Sequence, residues 1–288
     1  MRRAHVTVVA SVLCAALVIV ACRTVGKAVE GVGQATGLKS LEALGRVIQS
    51  GEDLTPSEQH YVGRSVAANV IARYGVDESS GLAKFIERVG QVLVDLNPQI
   101  EPTFKGYHFS ILNAEMVQAV SAPGGFVFVS RGALDLAQTE DEIAAVLAHE
   151  IAHVHLKHPL GAINANRWKE LASGVAVDIS KDSGPKTMQA FTGAVGDIGD
   201  AVENVGYGQG KEEDADKLAI ELLKGAGYHE EALSVYLARL GKVNDKGGLL
   251  STHPAPATRI EYLALPTEFR TDPTLEGRTT RFKTAKGA

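Results

Sequence analysis

The chain has 288 residues, 22% of them charged, a formal net charge of −5 and two cysteines. Two cysteines exclude a disulfide framework, and a mildly acidic balance offers no surface for nucleic acid. The length suits one good-sized domain with a single core.

At the N-terminus, Met1-Arg2-Arg3 is a short basic region and Val6 to Val20 an apolar one, closing on Ile19-Val20-Ala21-Cys22. This pattern predicts a secretory leader over residues 1–21 that ends in a lipobox, with the Cys22 thiol carrying lipid after cleavage. The alternative is an uncleaved anchor over residues 4–22, since about 17 apolar residues can just span a bilayer. Removing Arg2 and Arg3 takes the charge of −5 to −7. Glycine-rich residues 22–50 read as a tether. Arg23, rather than an aspartate, after the lipid-bearing cysteine predicts a bacterial outer membrane, with the domain facing the periplasm.

Thr55-Pro56-Ser57-Glu58 is a capping box with proline at the first helical position, and it opens a helix to about Tyr74. Ser79 or Ser80 caps a second helix whose stripe is Leu82, Phe85, Ile86, Val89 and Leu93. Tyr107 to Leu112 and Phe126 to Ser130 alternate as strands, and Pro123-Gly124-Gly125 turns the chain between them. One sheet edge could pair with an extended peptide, but edge and core strands look alike in one sequence.

Thr139 and Glu142 form another capping box. The helix it starts is apolar on nearly every face from Ile143 to Leu156 and ends by about His158, because Pro159 stops it. Inside it lies His149-Glu150-Ile151-Ala152-His153. Positions i and i+4 share a helix face, so His149 and His153 can present two imidazoles to one ion, with Glu150 beside the ion rather than on it. That spacing supplies two ligands and a base for metal-assisted hydrolysis. His155 points away from this face, and His158 reads as a partner of the helix dipole or as a cap.

A third ligand is expected from the acid run that opens a later helix, Lys211-Glu212-Glu213-Asp214-Ala215-Asp216. Against the stripe Ala215, Leu218, Ala219, Leu222 and Leu223, Glu212 lies on the core side, Asp216 at its margin and Glu213 nearly opposite. A core-side acid needs a partner, which a metal supplies. Between the two site helices, residues 161–210 read as helical with a break at 181–186. The glycine-rich stretch 193–210 is either a mobile cover or a plain connection. Tyr228 to Leu240 is a further helix, and residues 271–288 read as a polar tail.

These motifs, in this order, resemble the HtpX and CAAX-prenyl-protease group of zinc metallopeptidases, the gluzincins, including its BepA-type lipoprotein branch. The likeness is carried by Asn113-Ala114, Ala122 to Gly125, Glu142 to His158, Glu212 to Asp216, His253-Pro254 and Arg259-Ile260. It implies one zinc per chain, held by His149, His153 and Glu212, with Glu150 as base. It also implies that Asp216 buttresses a ligand histidine and that His253 and Arg259 reach the site as catalytic residues. His253 would stabilise the transition state or cap the zinc in a latent form. The fold implied is α+β, mainly helical and zincin-like, with a small sheet over the site helix, in a domain spanning residues 51–270. Unlike the group's multi-span members, the chain has no spanning apolar run after residue 22, and unlike BepA it shows no tandem helical repeats. The expected function is a membrane-tethered endopeptidase acting on unfolded or misassembled envelope polypeptides. The alternative is a non-catalytic chaperone or assembly factor using the same groove.

Overall fold

In the computed structural model the described residues are 30, 34, 54–77, 80–160, 206–243, 247–270 and 272–287. The leader, Cys22, most of the tether and the stretch 161–205 lie outside them. Among the described residues no helix is long and apolar enough to cross a membrane.

Glu58 reaches back to accept from Thr55 N at 2.8 Å, starting α1 (Pro56–Tyr74) as its capping box requires. The two-residue strand β1 (Val76–Asp77) follows. Ser80 caps α2 (Gly81–Asp95), accepting from Ala83 N at 3.0 Å, and Phe85, Ile86, Val89 and Leu93 turn inward. Strands β2 (His108–Leu112), β3 (Ala119–Ala122) and β4 (Phe126–Ser130) complete a sheet of order β1-β2-β4-β3. The β2–β4 pair is parallel, and the two outer pairs are antiparallel. The sequence reading missed β1, which is too short for a pattern, and β3. Ala-Val-Ser-Ala in β3 is buried at every position, so it carries no alternation. The turn between β3 and β4 lies flat on α1. Gly124 has φ +77°, and a Cβ there would stand 2.4 Å from His60 Cα.

After α3 (Arg131–Leu136), the site helix α4 (Glu140–His155) starts at Thr139, whose hydroxyl accepts from Glu142 N at 3.1 Å. Every residue from Glu140 to Val154 is buried. The sheet covers one flank of α4, and α2 and five later elements complete the core around it. These later elements are α5 (Gln209–Gly225), α6 (Ala232–Leu240), α7 (Leu249–Thr252), α8 (Pro256–Leu263) and α9 (Pro273–Lys286). The result is the expected mainly helical α+β domain with a small four-stranded sheet.

The C-terminal segment departs from expectation. Residues 273–286 are no polar tail but a helix capped by Asp272, which accepts from Leu275 N at 2.8 Å. Its Phe282 is fully buried in the main core, with its ring centroid 6.0 Å from that of Phe85. Two apolar residues a heptad apart, Leu275 and Phe282, made too thin a stripe to register as core-forming. The helix is secured instead by charges whose partners lie far away in the chain. Arg278 pairs with Asp141 at 3.0 Å, and Arg281 with Glu140 at 2.9 Å. The domain therefore continues through α9 to residue 287 rather than stopping at 270.

These pairs close off the buried first turn of α4. Glu140 also accepts from the Tyr228 hydroxyl at 3.0 Å, Asp141 from His229 N at 3.0 Å, and Glu142 from Gln138 N at 2.9 Å and Arg239 Nε at 3.2 Å. Burial pushes the Asp141 and Glu142 carboxyls above their ordinary range, against the pull of these donors. Because Phe282 is a core side chain, Phe282→Ala should lower the unfolding free energy by about 3–5 kcal/mol in a urea titration. A residue of a solvated tail would change it by less than about 0.5 kcal/mol.

Candidate metal centre

Helix α4 sets His149 and His153 one turn apart with their Nε2 atoms facing each other at 2.9 Å. The buried face of α5 brings up Glu212, whose Oε2 is 3.5 Å from His149 Nε2 and whose Oε1 is 3.5 Å from His153 Nε2. His253 ends α7, and its Nδ1 lies 2.6 Å from Glu212 Oε2 and 3.4 Å from His149 Nε2. Leu249 N donates to Val117 O at 2.9 Å, which fastens α7 to the loop before β3 and so fixes His253 over the cluster. One ligand atom from each of these four residues lies within 4.8 Å of the other three.

The far sides of the two α4 histidines are held as well. His149 Nδ1 is 2.8 Å from Asp216 Oδ1, so its proton sits on Nδ1 and its Nε2 lone pair faces the cluster. Asp216 is itself fixed by Arg259, which donates from Nε to Oδ2 at 2.9 Å and from a terminal nitrogen to Oδ1 at 2.5 Å. The Tyr262 hydroxyl adds a bond to Oδ2 at 2.5 Å. His153 Nδ1 meets His158 Nδ1 at 2.8 Å. Burial, and then Lys211, pull the His158 pKa down to about 4, so its ring stays neutral and can accept the His153 proton.

The electrostatics of the cluster ask for a cation. Burial opposes charge on Glu212, but its contacts with His149 and His253 prevail and hold its carboxyl well below the usual range. Burial likewise opposes charge on Asp216, and Arg259 and His149 overcome it. Burial and Arg259 disfavour a charged His149, yet Asp216 and Glu212 outweigh them and raise it to about 9. Burial and His149 keep His153 neutral. The acids therefore demand one positive charge among lone pairs that point inward. A proton serves, and a divalent ion with affinity for imidazole and carboxylate serves better. The donor set fits zinc.

Glu150 is 1% exposed, and its Oε1 makes no hydrogen bond. It sits beside His149 in a narrow recess lined by Val146, Leu233, Tyr236, Leu240 and Leu249. The structure thus brings together His149, Glu150, His153, Glu212, Asp216, His253 and Arg259. Arg259 occupies the Nδ1 side of His149, with its guanidinium committed to Asp216, so it positions rather than meets a reacting group. Cys22 lies outside the described residues. An open groove between α1, α2 and the sheet shares no residue with this cluster.

His158 and Tyr262 were not read as site residues from sequence. His158 follows the helix end, where Lys157 takes a φ of +58° and turns the chain back under His153. Proline at position 159 signalled that the helix stopped, but not where the next side chain would point. Tyr262 lies one turn after Arg259 on α8, a spacing visible only once Arg259 itself is placed in the site.

A family model described as peptidase family M48 matches residues 83–266. The beta-barrel assembly-enhancing protease of Yersinia pestis is 25% identical over 190 residues, covering 62% of this chain and 37% of its own length. Metalloprotease YcaL of Escherichia coli K12 is 27% identical over 207 residues, or 68% of this chain and 78% of its own. Metalloprotease LoiP of the same organism is 25% identical over 160 residues, or 54% and 61%. The chain spans little more than a third of the length of the beta-barrel assembly-enhancing proteases it matches.

A histidine that orients a ligand leaves a measurable trace. His158→Ala should weaken zinc binding about 10–100-fold in a chelator competition. His155→Ala should leave it unchanged, because the His155 ring accepts from Glu101 N at 3.2 Å, away from the cluster.

Proposed function

This chain belongs to peptidase family M48, and from that membership we propose that it is a membrane-tethered endopeptidase that cleaves unfolded or misassembled polypeptides of a bacterial cell envelope. The family makes it a zinc metallopeptidase. In this reading His149, His153 and Glu212 hold the ion and Glu150 is the base. The observation that carries the catalytic part is Glu150 itself. A carboxylate buried beside the ligands with an oxygen lacking a hydrogen bond costs stability, and a proton-transfer role accounts for that cost.

Zinc, when bound, lowers the pKa of a water and polarises a peptide carbonyl. The chain's own residues do the rest. Asp216 and His158 keep the Nδ1 protons of the two α4 histidines in place, so both Nε2 lone pairs face inward. Glu150 takes a proton from the attacking water as its oxygen bonds to the carbonyl carbon. The same carboxyl returns the proton to the amine nitrogen as the C–N bond breaks, leaving an acid and an amine. Strand β3 ends the sheet beside α4, which suits main-chain pairing with an extended substrate of any side-chain sequence.

A second reading concerns His253. Its Nδ1 stands among the ligand atoms, and His149, His153, Glu150, Glu212 and all of β3 are buried. That arrangement favours a latent form in which His253 would help hold the ion and would have to withdraw before substrate enters. The proton transfers through Glu150 are the same once it has moved.

The tether reading rests on the leader and Cys22. The names of the relatives, which describe a protease that enhances beta-barrel assembly, favour an envelope substrate. Two tests follow. Glu150→Gln keeps the size and hydrogen bonding of the side chain but removes the base. Chelator-sensitive casein cleavage should drop by at least about 100-fold while zinc content and the unfolding midpoint stay at the parent values. Loss of zinc in that variant would make Glu150 a ligand and sink the mechanism. For the anchor, mass spectrometry of the membrane-bound protein should find an acylated Cys22 as the first residue, and Cys22→Ala should release the chain from membranes. A peptide containing His5 in the mature protein would instead support the uncleaved helix.

A further inference from the structure

Tyr207 has no part in the chemistry described so far. Its ring packs on His153, with centroids 4.5 Å apart, and on His158 at 5.8 Å. Gly206, with φ +69°, lies so close to α7 that a Cβ would stand 1.9 Å from Thr252 O, which pins Tyr207 next to the stretch bearing His253. The Tyr207 hydroxyl is buried and faces Ser121 in the middle of β3, with Glu150 and Glu212 near enough for their charges to bear on it.

Four buried polar atoms without a hydrogen bond belong to these same residues: Tyr207 Oη, Ser121 Oγ, Glu150 Oε1 and Glu212 Oε1. Buried polar atoms are nearly always satisfied, and each that is not costs free energy. A phenylalanine would stack on His153 and His158 equally well without adding an orphaned hydroxyl, so packing does not explain the tyrosine. Glu150 and Glu212 are acceptors and repel negative charge, whereas the phenol can donate.

Resting on the peptidase reading above, we propose that Tyr207 is a further catalytic residue whose hydroxyl donates a hydrogen bond to the scissile carbonyl oxygen as negative charge builds there. The water oxygen bonds to the carbonyl carbon, and its proton goes to Glu150. The charge on the carbonyl oxygen peaks against the Tyr207 hydroxyl and collapses as the C–N bond breaks and the amine leaves with the proton from Glu150. Tyr207 keeps its own proton throughout. Ser121 stands where it can steer the phenol toward the edge along which an extended peptide would lie.

The test compares Tyr207→Phe with the parent as full-length, zinc-loaded protein. Cleavage of a quenched-fluorescence peptide should show kcat about 100-fold lower, with KM and zinc content unchanged. A second measurement does not need turnover. A phosphonamidate peptide carries a tetrahedral anionic centre in place of the scissile amide, and its affinity by calorimetry should fall by a similar factor in Tyr207→Phe. The matching amide peptide, measured in a Glu150→Gln background to prevent cleavage, should bind both proteins equally. An unchanged kcat or an unchanged phosphonamidate affinity overturns the role of Tyr207 and reduces it to a packing ring. A parent that cleaves nothing in a chelator-sensitive way overturns the peptidase reading instead, and the phosphonamidate comparison still decides whether the phenol meets an oxyanion.

Discussion

Two imidazole nitrogens held 2.9 Å apart in a closed core repel each other unless something positive lies between them, and most of the surrounding structure answers that constraint. Each ring must turn its lone pair inward, so each Nδ1 needs an acceptor behind it. For His149 the acceptor is Asp216, and for His153 it is His158. Asp216, once buried, becomes a charge that needs neutralising, and Arg259 and Tyr262 on α8 supply three donated bonds. This chain of requirements explains why a buried arginine sits behind the site rather than in front of it. Its fixed charge is cancelled by Asp216, so it reaches His149 as an orientation and not as a field that would drive a cation away.

The same helix carries a second buried charge problem at its other end. Glu140, Asp141 and Glu142 favour the α4 N-terminus through the helix dipole, but all three are inside the domain. Their partners come from after α5: Tyr228, His229 and Arg239 around α6, then Arg278 and Arg281 on α9. Stripping the partner from a buried ion pair such as Asp141–Arg278 typically costs about 3–5 kcal/mol. The pose of α4, and with it the spacing of His149 and His153 from Glu212, therefore depends on segments about a hundred residues away. A helix buried on every side cannot choose its own rotation from an amphipathic stripe, and these charged contacts choose it.

What could be read from sequence is what local spacing encodes. The i, i+4 pair on α4, the capping boxes at Thr55 and Thr139, and the core-side position of Glu212 on α5 each follow from one short window. Glu213, read as facing outward, is half-buried and pairs with Lys217 at 2.6 Å. The missed features share the opposite property. His158 depends on a left-handed residue just past a helix end, and Tyr262 on where Arg259 points. Strand β3 hides because burial on both faces erases alternation. Helix α9 hides because two apolar residues and several charges look like a solvated tail until Asp141 and Glu140 are seen facing them. Cys22, legible as a motif, lies outside the described residues.

The energetics of Glu150 separate the two functional readings sharply. A protein that only held unfolded chains in this cleft would gain nothing from a carboxylate 1% exposed with an oxygen free of hydrogen bonds. Drift to an apolar side chain would relieve a penalty of about 1–3 kcal/mol. The same reasoning applies to Tyr207, whose hydroxyl would be shed in favour of phenylalanine. Two residues on different segments each keep a costly buried polar atom beside the ligand residues, one able to accept a proton and the other to donate a hydrogen bond. Those are the two polar services that hydrolysis of a neutral amide requires, one for the water and one for the carbonyl oxygen. A holding surface requires neither.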